Sequence, residues 1–204
     1  MSTRAVLLAC LGTIAGIMPA HADDNVPGHW TARIGVHPVD PKPNNHSELT
    51  IDNAAGLSLG ATYLLSKHWA VEWFSAFPPA HEIHAADGTR IARFTMVPSS
   101  ATLQYRVGDD RGIFGAYGGV GLAYARIGGE QTKASLSNRT LELDDSIGIA
   151  ATIGLEVNLD SNWFLNADIR WMDIDSSLRI DGASQGTLEI DPYLFGLSVG
   201  RQFR

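Results

Sequence analysis

His81-Glu82-Ile83-His84 is the stretch of this 204-residue chain whose residue types most invite chemistry. It falls one residue short of the His-Glu-x-x-His spacing that brings two imidazoles to one face of a helix and onto zinc. In a loop, His81 and His84 could join His37 or His46 as ligands, but a catalytic zinc needs a third ligand and a defined geometry. Asp173-Ile174-Asp175 with Asp181, and the pair Asp144-Asp145, offer carboxylates to calcium without the full ligand set of an EF-hand loop, so solvated loop charge is the simpler reading. The glycine-rich run from Gly112 to Gly121 is followed by neither a helix nor a lysine and is no phosphate cradle. All seven histidines lie at or before His84, so any serine–histidine pair would have to assemble in the first two long loops, and nothing there resembles a nucleophile elbow. These residues predict no enzyme, no cofactor and no resident metal, with His81 and His84 as the weak metal candidates.

The elements that would position such groups follow from composition and pattern. A 45% hydrophobic chain with nine prolines and one cysteine suits a single ordered domain. Its net charge is −7, without a Lys/Arg cluster, which excludes a nucleic-acid partner. Met1 to Ala22 reads as a secretory signal peptide: Arg4, an apolar run from Ala5 to Pro19, then Ala20-His21-Ala22 before Asp23-Asp24. Cys10 belongs to that leader, because the apolar run continues past it where a lipidated cysteine should close it. The predicted mature domain, 23–204, then has no cysteine, and no stretch in it approaches the ~20 apolar residues of a spanning helix.

Its dominant signal is strict period-two alternation in eight segments, beginning at Trp30, Leu57, Trp69, Ser100, Tyr117, Ile147, Trp163 and Tyr193. One face of every segment is free of ionisable side chains other than tyrosine. The other carries Arg33, Glu72, Arg106, Glu156, Asp168 and Arg170, a balanced set that a narrow lumen can tolerate as pairs. Tight connections at Ser66-Lys67-His68, Gly108 to Ile113 and Leu159 to Asn162 alternate with long ones near 37–55, 78–98, 128–145 and 173–190. Short turns at one end, long loops at the other and an even strand number are the pattern of an outer-membrane barrel. A soluble barrel with its apolar face inside is disfavoured by volume, since an eight-stranded interior has little room for the Trp, Tyr, Leu and Ile of that face. The predicted fold is therefore all-β: an eight-stranded antiparallel transmembrane barrel with short periplasmic turns and long extracellular loops.

Four ordered stretches carry a family likeness: Trp69 to Ile83, with Glu72, Pro78 and His81; Ala116 to Tyr124; Trp171 to Ser177; and Asp191 to Phe203. On them the mature chain resembles the OmpW family of small outer-membrane proteins. The resemblance implies residence in the outer membrane of a Gram-negative bacterium, and small hydrophobic molecules that enter the lumen and leave sideways into the bilayer. It also implies that the barrel-assembly machinery reads a terminal aromatic, here Phe203 with Arg204 after it. Two further departures, Pro78-Pro79 after the third segment and Pro98-Ser99 before the fourth, bear on loop shape.

For such a pathway, Phe74 and the small residues beside it are the predicted apolar constriction. Arg170 next to Asp168 is the predicted ion-paired plug, with Glu72, Arg106 and Arg33 also lining the lumen. Pro78, Pro79 and Pro98, which cannot donate to a ladder, mark the predicted lateral wall gap. Lipid and lipopolysaccharide are the expected surroundings, the latter bridged through divalent ions by the loop aspartates. The alternative is a structural or receptor barrel whose long loops bind phage, colicin or host surfaces without transport.

Overall fold

A computed structural model describes residues 28–40, 49–51, 54–77, 81–85, 88–108, 113–132 and 140–203; the predicted leader, Pro78, Pro79 and Arg204 lie outside them. The chain runs through β1 (Trp30–Asp40), β2 (Leu49–Ile51), β3 (Ala54–Leu64), β4 (Trp69–Phe77), β5 (His81–Ala85), β6 (Arg90–Gly108), β7 (Phe114–Thr132), β8 (Leu141–Leu143), β9 (Ser146–Asn158), β10 (Trp163–Met172), β11 (Asp175–Ile180), β12 (Ala183–Glu189) and β13 (Tyr193–Phe203). Eight of these close into an antiparallel barrel, in the order β6-β4-β3-β1-β13-β10-β9-β7 and back to β6. Closure satisfies the backbone without a free edge, which a lipid environment demands.

The alternation sets the wall as expected. Along β10, Trp163, Leu165, Ala167 and Ile169 face outward, while Phe164, Asn166, Asp168 and Arg170 are buried inside. Trp30, Trp69, Trp163 and Phe203 form a lower aromatic ring near the tight turns, with the apolar band of Ile34, Leu59, Leu155 and Leu197 above it, all exposed.

The four spans predicted as long loops need correction, for they carry strand. β1 continues to Asp40; β5 pairs with both β2 and β6; β8, β11 and β12 form a separate three-stranded sheet above the barrel. The 19 residues of β6 and of β7 far exceed the ~9–11 that cross a bilayer. Their upper halves stand clear of the hydrocarbon, and there the pattern reverses. Ala92, Phe94, Met96, Ala125 and Ile127 are buried inside, with Arg93, Thr95 and Arg126 exposed outside. The chain responds to the change of surroundings from lipid to water by exchanging which face is apolar.

The tight turns are held locally. In the turn before β10, an Asp160 carboxylate oxygen accepts from the backbone N–H of Asn162 (2.7 Å) and of Trp163 (2.8 Å). These bonds hold the Asp160 carboxyl below its ordinary value. A depressed carboxylate contributes stability that is present above its unfolded value and lost as pH falls through the folded one. Asp160→Ala is therefore expected to lower the urea midpoint slightly at neutral pH, and the difference from wild type to vanish in acid.

Candidate functional site

The lumen divides at mid-height into a charged floor and an upper section filled by apolar side chains. In the floor, Glu72 on β4 is fully buried and ion-paired to Arg33 of β1. It also accepts from Arg170 Nη2 of β10 at 2.8 Å, from Gln104 Nε2 at 2.9 Å and from Thr102 Oγ1 at 3.3 Å. Arg170 reaches Ser100 Oγ (3.0 Å) and lies 3.5 Å from the Asp168 carboxylate. Its Nε has no hydrogen-bond partner, but its guanidinium carbon sits 4.1 Å from the centroid of the Phe74 ring, whose face attracts the cation. Lower down, Arg106 pairs with Glu156. All six charges predicted for the lumen are thus present there and paired, the condition under which buried charge is tolerated.

A polar chain links the floor around the barrel. Arg33 Nη1 donates to the Tyr117 hydroxyl (3.1 Å), which donates to Asn166 Oδ1 (2.9 Å), and Asn166 Nδ2 donates to Asp168 (2.8 Å). His37 completes it: Nε2 lies 3.2 Å from Asp168 Oδ1, and Nδ1 lies 2.7 Å from Ser58 Oγ. Large side chains fit because glycines face them. A Cβ at Gly154 would stand 2.3 Å from the Tyr117 ring, and one at Gly196 would stand 1.9 Å from His37 Nε2.

His37 corrects two expectations at once. It is not a loop ligand for His81 and His84 but a strand residue in the lumen; and a serine–histidine pair does form, inside the wall rather than in the loops. His81 and His84 lie on β5, where His81 is buried and stacked 5.5 Å from the Phe94 ring, and His84 Nδ1 sits 3.1 Å from the Gly88 carbonyl oxygen. Among the described residues, the acidic group with ligand atoms within 4.8 Å of one another is Asp173, Asp175 and Asp191, with Asp191 where Asp181 was expected. Asp144 is paired with Arg179.

Phe74, at the boundary, has no exposure and packs edge-on to His37, 4.8 Å between ring centroids. Above it Val39, Met96, Met172, Ile174, Leu188 and Leu194 belong to one continuous apolar cluster. Pro98 is buried in β6, where the β4–β6 ladder ends at Ser75↔Ser99 and β5 takes over at His81↔Phe94. Sequence reasoning missed His37, Ser58, Tyr117 and Asn166 as a network. The parity of Arg33 and Gly35 extends to His37, but Pro38 after it reads as the end of a strand.

With this geometry in place, comparison with known proteins is specific. Residues 31–203 match the OmpW family. Outer membrane protein W of Vibrio cholerae serotype O1 is 28% identical, over 95% of this chain and 97% of that protein. The Pseudomonas aeruginosa protein named dibenzothiophene metabolism operon protein PahQ is 25% identical, over 85% and 88%. The crystal structure of the outer membrane protein OprG from Pseudomonas aeruginosa superposes with a TM-score of 0.76 at 25% identity, covering 87% of this chain and 96% of that one. The tight turns accordingly face the periplasm and the three-stranded sheet the exterior. A closed barrel with an apolar outer band, a paired lumen and these relatives is a member of the OmpW family, resident in the outer membrane.

Proposed function

We propose that the barrel is a passive conduit for small hydrophobic molecules, which enter the upper chamber from outside and leave sideways into the bilayer. The observation that carries this reading is the reversal inside the barrel: an apolar cluster fills the upper lumen and rests on a floor closed by Arg33, Glu72, Arg170 and Asp168, so that a chamber opened there is apolar. An apolar molecule gains by leaving water for such a chamber, roughly 25 cal/mol for each Å² it buries. It gains nothing by crossing a floor of ion pairs, so the wall is the cheaper exit. The relative named for a dibenzothiophene metabolism operon supports a flat apolar solute. The end of the β4–β6 ladder at Ser75↔Ser99, beside Pro98, supports an opening on that side of the wall. Lipopolysaccharide around the outer half and assembly through Phe203 belong to the same reading.

Phe74→Arg tests it. The new cation would stand beside Arg170 and at the chamber base, and uptake of dibenzothiophene by cells expressing the variant should fall about tenfold, the equivalent of ~1.4 kcal/mol. Unchanged uptake would sink the proposal. A receptor role is the second reading, favoured by the exterior sheet, whose β12 is exposed along almost its whole length. Deleting Asp181 to Gln185 should then abolish surface binding of phage or colicin and leave uptake intact.

A further inference from the structure

The barrel has a second weak point, away from Pro98, where β1 meets β13. The register runs from Trp30↔Phe203 to Val36↔Leu197 and resumes in the same frame at Val39↔Leu194. The two intervening pairs, His37 with Gly196 and Pro38 with Phe195, are missing. Both would need an N–H at residue 38, which proline lacks. On its other side β1 stays paired with β3 through His37↔Gly56 and Pro38↔Ala55. The lost bond therefore belongs to the β1–β13 seam alone.

At the same height the outer wall carries an open groove of ≈ 850 Å³, to which Val36, Pro38, Phe195, Gly196, Leu197 and Ala167 contribute. It exists because Ala167 is small where its register partners Leu197 and Leu155 are large. Gly196 thins the wall to bare backbone there. The inner space its missing side chain leaves is filled by the His37 ring, with Phe74 behind it. Groove, Gly196, His37 and Phe74 thus lie in sequence from bilayer to chamber.

We propose that the β1–β13 seam at Pro38 is a lateral portal for elongated or flat apolar molecules, with the His37 ring as its plug. This rests on the conduit reading and gives it an exit distinct from Pro98. Ser58 and Asp168 hold the plug from β3 and β10, so its release needs hydrogen bonds to break but no strand to leave the barrel. The groove then receives the molecule on the lipid side.

Two disulfide locks test the portal. The chain has one cysteine, Cys10 in the predicted leader, so new pairs form without competition. Val36 and Leu197 are directly opposed across the seam, and Trp73 and Ala101 are opposed across β4–β6. Opposed antiparallel residues lie ~4.5–5.5 Å apart at Cα, within disulfide range. Dibenzothiophene uptake is measured in cells whose barrel carries Val36→Cys with Leu197→Cys, or Trp73→Cys with Ala101→Cys. The oxidised first lock should lower uptake several-fold, reductant should restore it, and the second lock, on the Pro98 side, should lower it less than the first. Pro38→Ala, which restores the missing donor, should slow uptake in the same direction without any disulfide. Equal uptake by the oxidised and reduced first lock, or loss confined to the second, overturns the portal. Wild-type cells that take up no more than cells without the barrel refute the conduit reading beneath it.

Discussion

Glu72→Ala lowers the unfolding free energy of the barrel in lipid vesicles by about 3–5 kcal/mol, the range for removing one partner of a buried ion network. Glu72 is the one acceptor shared by Arg33 and Arg170 among the described residues, and its own exposure is nil. Its removal strands two guanidinium groups and leaves Gln104 and Thr102 without their acceptor. Asp168 remains within reach of Arg170 and recovers part of the loss. The contrast that makes the result informative is Arg33→Met with Glu72→Leu, Asp168→Leu and Arg170→Met. Replacing all four charges by apolar volume is expected to be near neutral, because the desolvation cost disappears with the pairs and no buried charge is left alone. Glu156→Ala, whose pair with Arg106 is partly exposed at the periplasmic end, should cost no more than about 1 kcal/mol. Urea titration of the three variants in vesicles checks the ranking, and a Glu72→Ala barrel as stable as wild type would contradict the central place given to this carboxylate.

Leu155→Arg is expected to cost about 2–4 kcal/mol in the same assay, the depth-dependent price of a cation on the lipid face near the bilayer midplane. Leu155 is 62% exposed in the isolated barrel and opposite Ala167, midway between Trp163 and Trp171 on β10. On a protein surrounded by water such a surface change would stay within about 0.5 kcal/mol. Thr95→Arg supplies the comparison on the same molecule. Thr95 also faces outward, but beside Arg93 and Arg126, above the hydrocarbon, and its replacement should change stability by no more than about 0.5 kcal/mol.

The lower barrel was legible because one physical rule governs it: lipid outside, paired charge inside. Parity alone assigned Arg33, Glu72, Arg106, Asp168 and Arg170 to the lumen. The upper barrel was not legible as strand, because its alternation has the opposite sign. Phe94 and Met96 face inward there as Trp73 and Leu103 face outward below, and a search for one continuous apolar face stops where the sign changes. Two prolines deepened the error. Pro38 reads as the end of the first strand and hides His37, although the β1–β3 ladder runs through it unbroken and the β1–β13 ladder resumes at Val39↔Leu194. Pro98 reads in the sequence as part of a long loop, yet it sits within a 19-residue strand and pairs with Ala125. The network through Tyr117, Asn166 and His37 joins β7, β10 and β1, and its members become neighbours only on closure.

The height of the β6–β7 hairpin has a consequence for what the protein overcomes. Nineteen residues at ~3.3 Å each, tilted ~45°, rise ~45 Å, against an apolar band ~25 Å tall. The surplus is comparable to the headgroup and inner carbohydrate layer of an outer leaflet. An oily molecule is repelled by that hydrated, charged sugar coat, whereas the acyl chains beneath would dissolve it readily. On the conduit reading proposed above, the hairpin would carry the apolar lining of the upper lumen up through such a coat, and the barrel would need to bridge the sugars alone and not the full thickness of the membrane.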